Sequence, residues 1–339
     1  MKKLFAWVLA IVMTLALCAC AQTPADTAKD STPAPDPTVS GTNASDAAAE
    51  PAGKIKIGLA MHNQTADWAV QMKDSFLEAA AEKSDVEVIW NDANQVVSTQ
   101  VDNIETLVAQ GCSVIVVDPQ DYTALGSALK VATDAGVKIV NCDSKVIEDD
   151  QSMVSSFITA DCYGGGVTLG KYLVEKLPQG AKVGFLNYST IAVIADRFTG
   201  IRDAFKDAGR DDLVIVEKEC TDLNAIASYT EDMLLADPDI ACFVCLNDNT
   251  ALSCWAACNQ LGSPEILVYG FDGSPAGKQS ISNGEMAGTM VYSPVDLARA
   301  SFEAAYALAT GAEAEKEVMV PMWLISPENI AERNLQAWE

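Results

Sequence analysis

The chain has 339 residues, with 47 Asp and Glu against 22 Lys and Arg, for a formal net charge of −25 at pH 7. Phosphate binding needs clustered Lys and Arg, so this balance excludes a nucleic-acid partner and direct adhesion to anionic lipid. It describes a soluble, solvated acidic surface instead.

The chain opens on Lys2 and Lys3, followed by an apolar run over residues 4–17 that is short for a bilayer span. Ala19 then precedes Cys20, which is the layout of a secretory signal. The stretch resembles the lipobox of bacterial lipoproteins. That resemblance implies that residues 1–20 are a signal, that Cys20 carries the lipid, and that the chain is exported and anchored to the extracytoplasmic face of the cell membrane. Cys18 is the poorer lipidation candidate, because bulky Leu17 precedes it; an uncleaved anchor helix is the competing reading. Residues 21–53 are Ala, Thr, Pro, Asp and Ser with almost no large apolar side chain. Such a segment cannot bury enough surface to offset chain entropy, and it reads as a disordered tether.

About 285 residues remain, which exceeds the usual size of a single core and favours two lobes. Residues 54–60 read as a strand and 68–83 as a helix, with Trp68, Met72, Phe76, Leu77 and Ala80 on one face. A strand at 86–90, a helix at 97–110 and a strand at 114–117 follow, the last stopped by Asp118-Pro119. A helix at 124–135 closes on Gly136 and leads to a strand at 137–141. The cycle restarts with helices at 164–177, 197–209, 225–235 and 250–261, alternating with strands at 182–187, 214–217, 240–246 and 266–270, before a last helix at 297–310. Alternation of this kind predicts an α/β fold in which parallel sheets carry helices on both faces. Ligands of open α/β sheets bind beyond the carboxyl ends of the strands, and two such lobes form a cleft between them.

Three motifs mislead. Gly165-Gly166-Val167-Thr168-Leu169-Gly170-Lys171 imitates a phosphate loop, but Tyr172 replaces the required Ser or Thr and the glycines fall on a helix instead of a loop after a strand. Cys242, Cys245, Cys254 and Cys258 imitate a zinc set, but Cys242 and Cys245 lie three apart in a strand and point to opposite faces. The cysteines inside apolar runs are expected to be mostly free, buried thiols, with no metal and no cofactor. His62 is the only histidine, and no nucleophile pairs with it by spacing, so the chain is not expected to be an enzyme.

Polar and aromatic residues stand after the predicted strands: His62 and Trp68 after the first, Asp118 and Asp121 after the third, and Asp143 after the fourth. Arg197 opens a helix in the second half, Asn247 and Asp248 follow residues 240–246, Asp272 follows Val268-Tyr269-Gly270-Phe271, and Tyr292 follows Thr289-Met290-Val291. Carboxylates accept from vicinal hydroxyls, Arg donates to ring oxygens, and an aromatic face covers the C–H side of a hydroxylated ring. Taken singly, each residue also reads as a helix cap or a packed aromatic.

Residues 54–325 resemble the type I periplasmic sugar-binding proteins of ABC importers, the ribose-binding-protein branch. The most specific pieces are Val268-Tyr269-Gly270-Phe271-Asp272-Gly273-Ser274-Pro275 and Leu246-Asn247-Asp248-Asn249-Thr250-Ala251-Leu252, supported by Arg197-Phe198-Thr199-Gly200 and Thr159-Ala160-Asp161. The resemblance implies two Rossmann-like lobes, 54–160 plus 294–321 and 161–293 plus 322–339, with three crossovers forming a hinge near Ala160, Pro294 and Pro321. It implies that Trp68 stacks on a sugar, that Asp143, Arg197, Asn247 and Asp272 hydrogen-bond it, and that His62 is a polar cleft residue. Ala66, Ser144 and Tyr292 depart from the ribose-binding pattern, which puts ribose itself in doubt. The function implied is capture of a small sugar or polyol by a monomer and its delivery to an ABC permease; Asp143 and Asp272 against Arg197 leave the implied cleft about one unit negative, which favours a neutral ligand. A ligand-presenting sensor subunit and a nucleoside-like ligand are the alternatives; the signal and missing DNA-binding helices argue against a repressor core.

Overall fold

The computed structural model describes residues 54–339. The expected signal, Cys20 and the tether over 21–53 lie outside the described residues.

The first sheet begins with β1 (Ile55–Met61), α1 (Asp67–Ala81), β2 (Val86–Asp92), α2 (Val97–Ala109) and β3 (Val114–Val117). It continues with α3 (Gly126–Asp134), β4 (Lys138–Cys142) and β5 (Ser156–Ala160). Val114–Val117 is buried throughout, as a strand covered by helices on both faces must be. The chain then enters a second set: α4 (Cys162–Lys176), β6 (Lys182–Asn187), α5 (Ala192–Asp207), β7 (Val214–Glu219), α6 (Ile226–Ala236) and β8 (Ile240–Cys245). It proceeds through α7 (Asp248–Gln260), β9 (Leu267–Asp272), α8 (Pro275–Ser282) and β10 (Gly288–Val291). It returns with α9 (Pro294–Ala309) and β11 (Glu317–Val320), and ends with β12 (Leu324–Ile325).

The first sheet has the order β11-β5-β4-β3-β1-β2, with all pairs parallel. The second has the order β12-β10-β9-β8-β6-β7, parallel except for the antiparallel pair of β10 and β12. The chain therefore passes between sheets three times: from β5 to α4, from β10 to α9, and from β11 to β12. Helix α9 packs on the first lobe, where Phe302 meets Phe76 of α1 edge to face at 5.4 Å.

Two sequence expectations need correction. Helix α5 starts at Ala192, five residues before Arg197, so Arg197 lies within the helix instead of opening it. Strand β5 does precede the glycine run directly, with Asp161 capping α4 between them by accepting from Gly164 N at 2.8 Å. The phosphate-loop resemblance still fails, because Gly164, Gly165 and Gly166 are helical. Their role is steric. A Cβ on Gly166 would sit 2.1 Å from the Arg197 carbonyl oxygen, and one on Gly200 would sit 2.2 Å from that of Tyr163. These glycines let α4 and α5 touch backbone to backbone.

All eight described cysteines are free and buried. Cys242 and Cys245 are buried on opposite faces of β8, because helices cover both sides of that sheet. Burial pushes the Cys112, Cys162 and Cys220 thiols up to about 11. Among the described residues, no group of three or more His, Cys, Asp or Glu side chains is placed to hold a metal ion.

Candidate ligand-binding cleft

The polar residues expected at the strand ends gather where the two sheets face each other. Arg197 is the centre of the group. It is 4% exposed, and its Nη1 donates to the Leu246 carbonyl at 2.7 Å and lies 3.9 Å from Asp272 Oδ1. Its guanidinium carbon sits 4.6 Å from the Tyr292 ring centroid and 4.8 Å from that of Phe271, so the cation is held between two aromatic rings. The backbone contact of α4 with α5 at Arg197 fixes this position.

Trp68, near the start of α1, reaches the opposite lobe's crossover. Its ring stacks on Tyr292 at 5.4 Å with an interplanar angle of 28°, and its Nε1 donates to the Tyr292 carbonyl at 3.1 Å. Trp68, Tyr292 and Arg197 are thus in one continuous run of contacts. One cavity, of about 420 Å³, is lined by Trp68, Gln71, Asn247, Asp272 and Ser274. Another, of about 510 Å³, is lined by His62, Gln120, Tyr122, Asp143 and Ser144 from the first lobe, and by Tyr188 from the second. Of the expected site residues, Trp68, Asn247 and Asp272 line the first cavity and His62 and Asp143 the second, while Arg197 and Tyr292 contact each other and line neither.

His62 pairs with Asp118, its Nδ1 lying 2.6 Å from Oδ2. Burial alone would lower its pKa, but the contact with Asp118, helped by Asp143 and Asp92, pushes it up to about 9, so the ring is an imidazolium at neutral pH. Asp143 is pushed up to about 7 by burial and by the Asp118 carboxylate, against the pull of His62 and Arg197. Burial drives Asp272 well above the usual carboxylate range; Arg197 opposes the shift, and Asp248 and Asp143 reinforce it.

Both carboxylates sit on strained backbone. Asp143, after β4, has φ of 65°, and Asp272, at the end of β9, has φ of 111°. Positive φ is unfavourable for a residue with a Cβ, and strain of this kind collects at ligand sites. Several buried polar atoms also have no hydrogen-bond partner among the described residues: Asp118 Oδ1, Asp143 Oδ1, Arg197 Nε and the Tyr292 hydroxyl. Native interiors rarely leave such groups unpaired, and their concentration here marks a place for a hydrogen-bonding ligand.

Asn247 has two roles. It is the N-cap of α7, accepting from Thr250 N at 3.0 Å in a reciprocal capping box, which leaves its amide NH₂ as the donor toward the cavity. The supporting residues were less legible in the sequence. Asp248, named only for its place after a strand, accepts from Ser274 N, Ser274 Oγ and Thr289 Oγ1 at 2.8, 2.7 and 2.6 Å, and so fixes the loop that carries Asp272. Buried Gln100 donates to the Ala60 and Asp118 carbonyls and accepts from Gln120 N, and Asn141 shapes the turn after Asp143 through Ser144 O and Val146 N. A Gln on an apolar helix face and an Asn within a strand are the faint signals that could have pointed to them.

The family model described as "Periplasmic binding protein domain" matches residues 57–313. The ribose import binding protein RbsB of Bacillus subtilis is 29% identical over 273 residues, covering 80% of this chain and 87% of the relative. A solved ABC transporter solute binding protein from Mycobacterium smegmatis, with bound glycerol, superposes with a TM-score of 0.76 at 26% identity, covering 85% of this chain and 100% of that one. The Caulobacter myo-inositol binding protein, bound to myo-inositol, superposes with a TM-score of 0.75 at 25% identity, covering 84% and 97%. With two open parallel sheets facing a polar cleft and a family match over most of its length, the chain belongs to the periplasmic binding protein family of type I fold, as an extracytoplasmic solute-binding protein and not an enzyme.

Proposed function

We propose that this protein captures a small neutral sugar or polyol between its lobes and delivers it to an ABC permease. The observation that carries the reading is the ring of unpaired buried polar atoms on Asp118, Asp143, Arg197 and Tyr292 beside the Trp68 and Tyr292 rings. Carboxylates and a guanidinium offer acceptors and donors to vicinal hydroxyls, and the indole offers a face to C–H groups. The relatives bind ligands of this chemistry, with ribose, glycerol and myo-inositol in their descriptions.

Charge narrows the ligand class. His62 is engaged by Asp118, and neither cavity is lined by a lysine or an arginine, so a buried anion would find no strong counter-ion there. The lobes are proposed to comprise 54–160 plus 294–321 and 161–293 plus 322–339, hinged at the three crossovers, with Trp68, His62 and Asp143 closing on Arg197, Asn247, Asp272 and Tyr292. Lipidation at Cys20 would hold a monomer on the outer face of the membrane, with residues 21–53 as its tether. A thermal-shift screen of sugars, polyols, nucleosides and sugar phosphates tests the ligand class. A rise in melting temperature with a neutral hydroxylated compound is expected, and a response confined to anions would contradict the reading.

A further inference from the structure

The last described residues build part of the cleft. Lys278, on α8 of the second lobe, is fully buried, and a buried ammonium without partners is strongly destabilising. Both of its partners lie in this tail: Nζ donates to the Ala337 carbonyl at 2.7 Å and to Glu339 Oε1 at 2.8 Å. Ser293, which follows Tyr292 at the crossover into α9, donates through Oγ to the Glu339 carbonyl at 2.6 Å while accepting from Asp296 N at 3.0 Å. Residues 337 and 339 are therefore clamped to α8 and to the crossover. Trp338, held between them, lines the 420 Å³ cavity together with Trp68, Asn247 and Asp272.

We propose that Trp338 is a ligand-contacting residue and Lys278 its positioning residue. The indole is a second aromatic wall of the chamber that holds Trp68, and it packs on the C–H face of a hydroxylated ring whose hydroxyls meet Asn247 and Asp272. The clamp on the residues to either side holds the indole at a fixed place. This inference rests on the sugar-or-polyol reading. It adds a specificity element from a part of the chain where the sequence carries no binding motif.

The test titrates D-ribose, D-allose, xylitol and myo-inositol into the wild-type protein, Trp338→Ala, Trp338→Phe, Lys278→Met and Asp143→Asn by calorimetry, beside melting curves of the unliganded proteins. Trp338→Ala is expected to weaken the best probe by about tenfold or more, as truncation of an aromatic anchor does. Trp338→Phe should restore most of the affinity, and neither should shift the unliganded melting temperature much. Lys278→Met should lose affinity in parallel as the tail undocks; if it does not fold, the two Trp338 variants decide alone. Wild-type affinity in Trp338→Ala, with affinity lost in Asp143→Asn, overturns the role of Trp338 and leaves the sugar reading standing. A wild-type protein that binds none of the four probes overturns both.

Discussion

Asp143 holds its proton to about pH 7, whereas the same carboxyl in an unfolded chain releases it near 3.9. The native state therefore binds more protons between about pH 4 and 7, and stability falls as pH rises through that window. His62, raised from 6.5 to about 9, extends the loss from pH 6.5 to 9. The unliganded protein is thus expected to melt highest on the acid side of neutrality and to lose stability steadily to pH 9. Melting curves across pH check this, and a profile flat from pH 5 to 9 would contradict it. A ligand hydroxyl donating to Asp143 Oδ1 favours the ionised carboxylate, so binding at pH 6.5 should release protons and show an enthalpy that depends on buffer ionisation. Trp68→Ala should weaken binding by roughly tenfold to a hundredfold through lost desolvated contact. Arg197 differs, because it also holds Leu246 O and fills the space between Phe271 and Tyr292. Arg197→Ala should lower both affinity and the unliganded melting temperature.

At the level of elements, the contact of α4 with α5 sets the position of Arg197, and it depends on glycine. Gly166→Ala or Gly200→Ala would drive a methyl group into a backbone carbonyl. Each should lower the melting temperature and weaken ligand binding together, since the helix carrying Arg197 must move; unchanged values for both would refute the steric argument. The cysteines make a contrasting case. All eight described thiols are buried and unpaired, so a thiol reagent should label them only slowly in the folded protein and fully after denaturation, and reductant should leave the melting temperature unchanged. The alternation of β-branched runs with amphipathic helices made most of this framework legible in the sequence, with element ends within a few residues. What escaped was short or lacked periodicity. Strands β11 and β12 have four and two residues, and α8 has eight residues beginning at Pro275. Candidate site residues were legible because Asp, Asn and aromatics follow apolar strands. The contacts that tie them together were not, since Tyr292 reaches both Trp68 and Arg197, 224 and 95 positions away in sequence.

For the whole molecule, three crossovers join two sheets, each with its own buried core. A ligand that touches both lobes favours the closed arrangement over any open one. Small-angle scattering should therefore give a smaller radius of gyration with saturating ligand, and an unchanged radius would count against hinge closure. The central claim, a neutral hydroxylated ligand held by acidic groups inside the cleft, is tested most directly by calorimetric titration at pH 8. The wild-type protein and Asp143→Asn are each titrated with the best neutral probe and with a phosphorylated sugar. The account predicts that the wild type binds the neutral probe and not the phosphate ester. It predicts that Asp143→Asn loses about tenfold or more of that affinity, the loss expected for a hydrogen bond to a charged group. The same variant, freed of a buried carboxylate, should melt no lower than the wild type without ligand. Tighter binding of the phosphate ester, or unchanged affinity in Asp143→Asn, would contradict it.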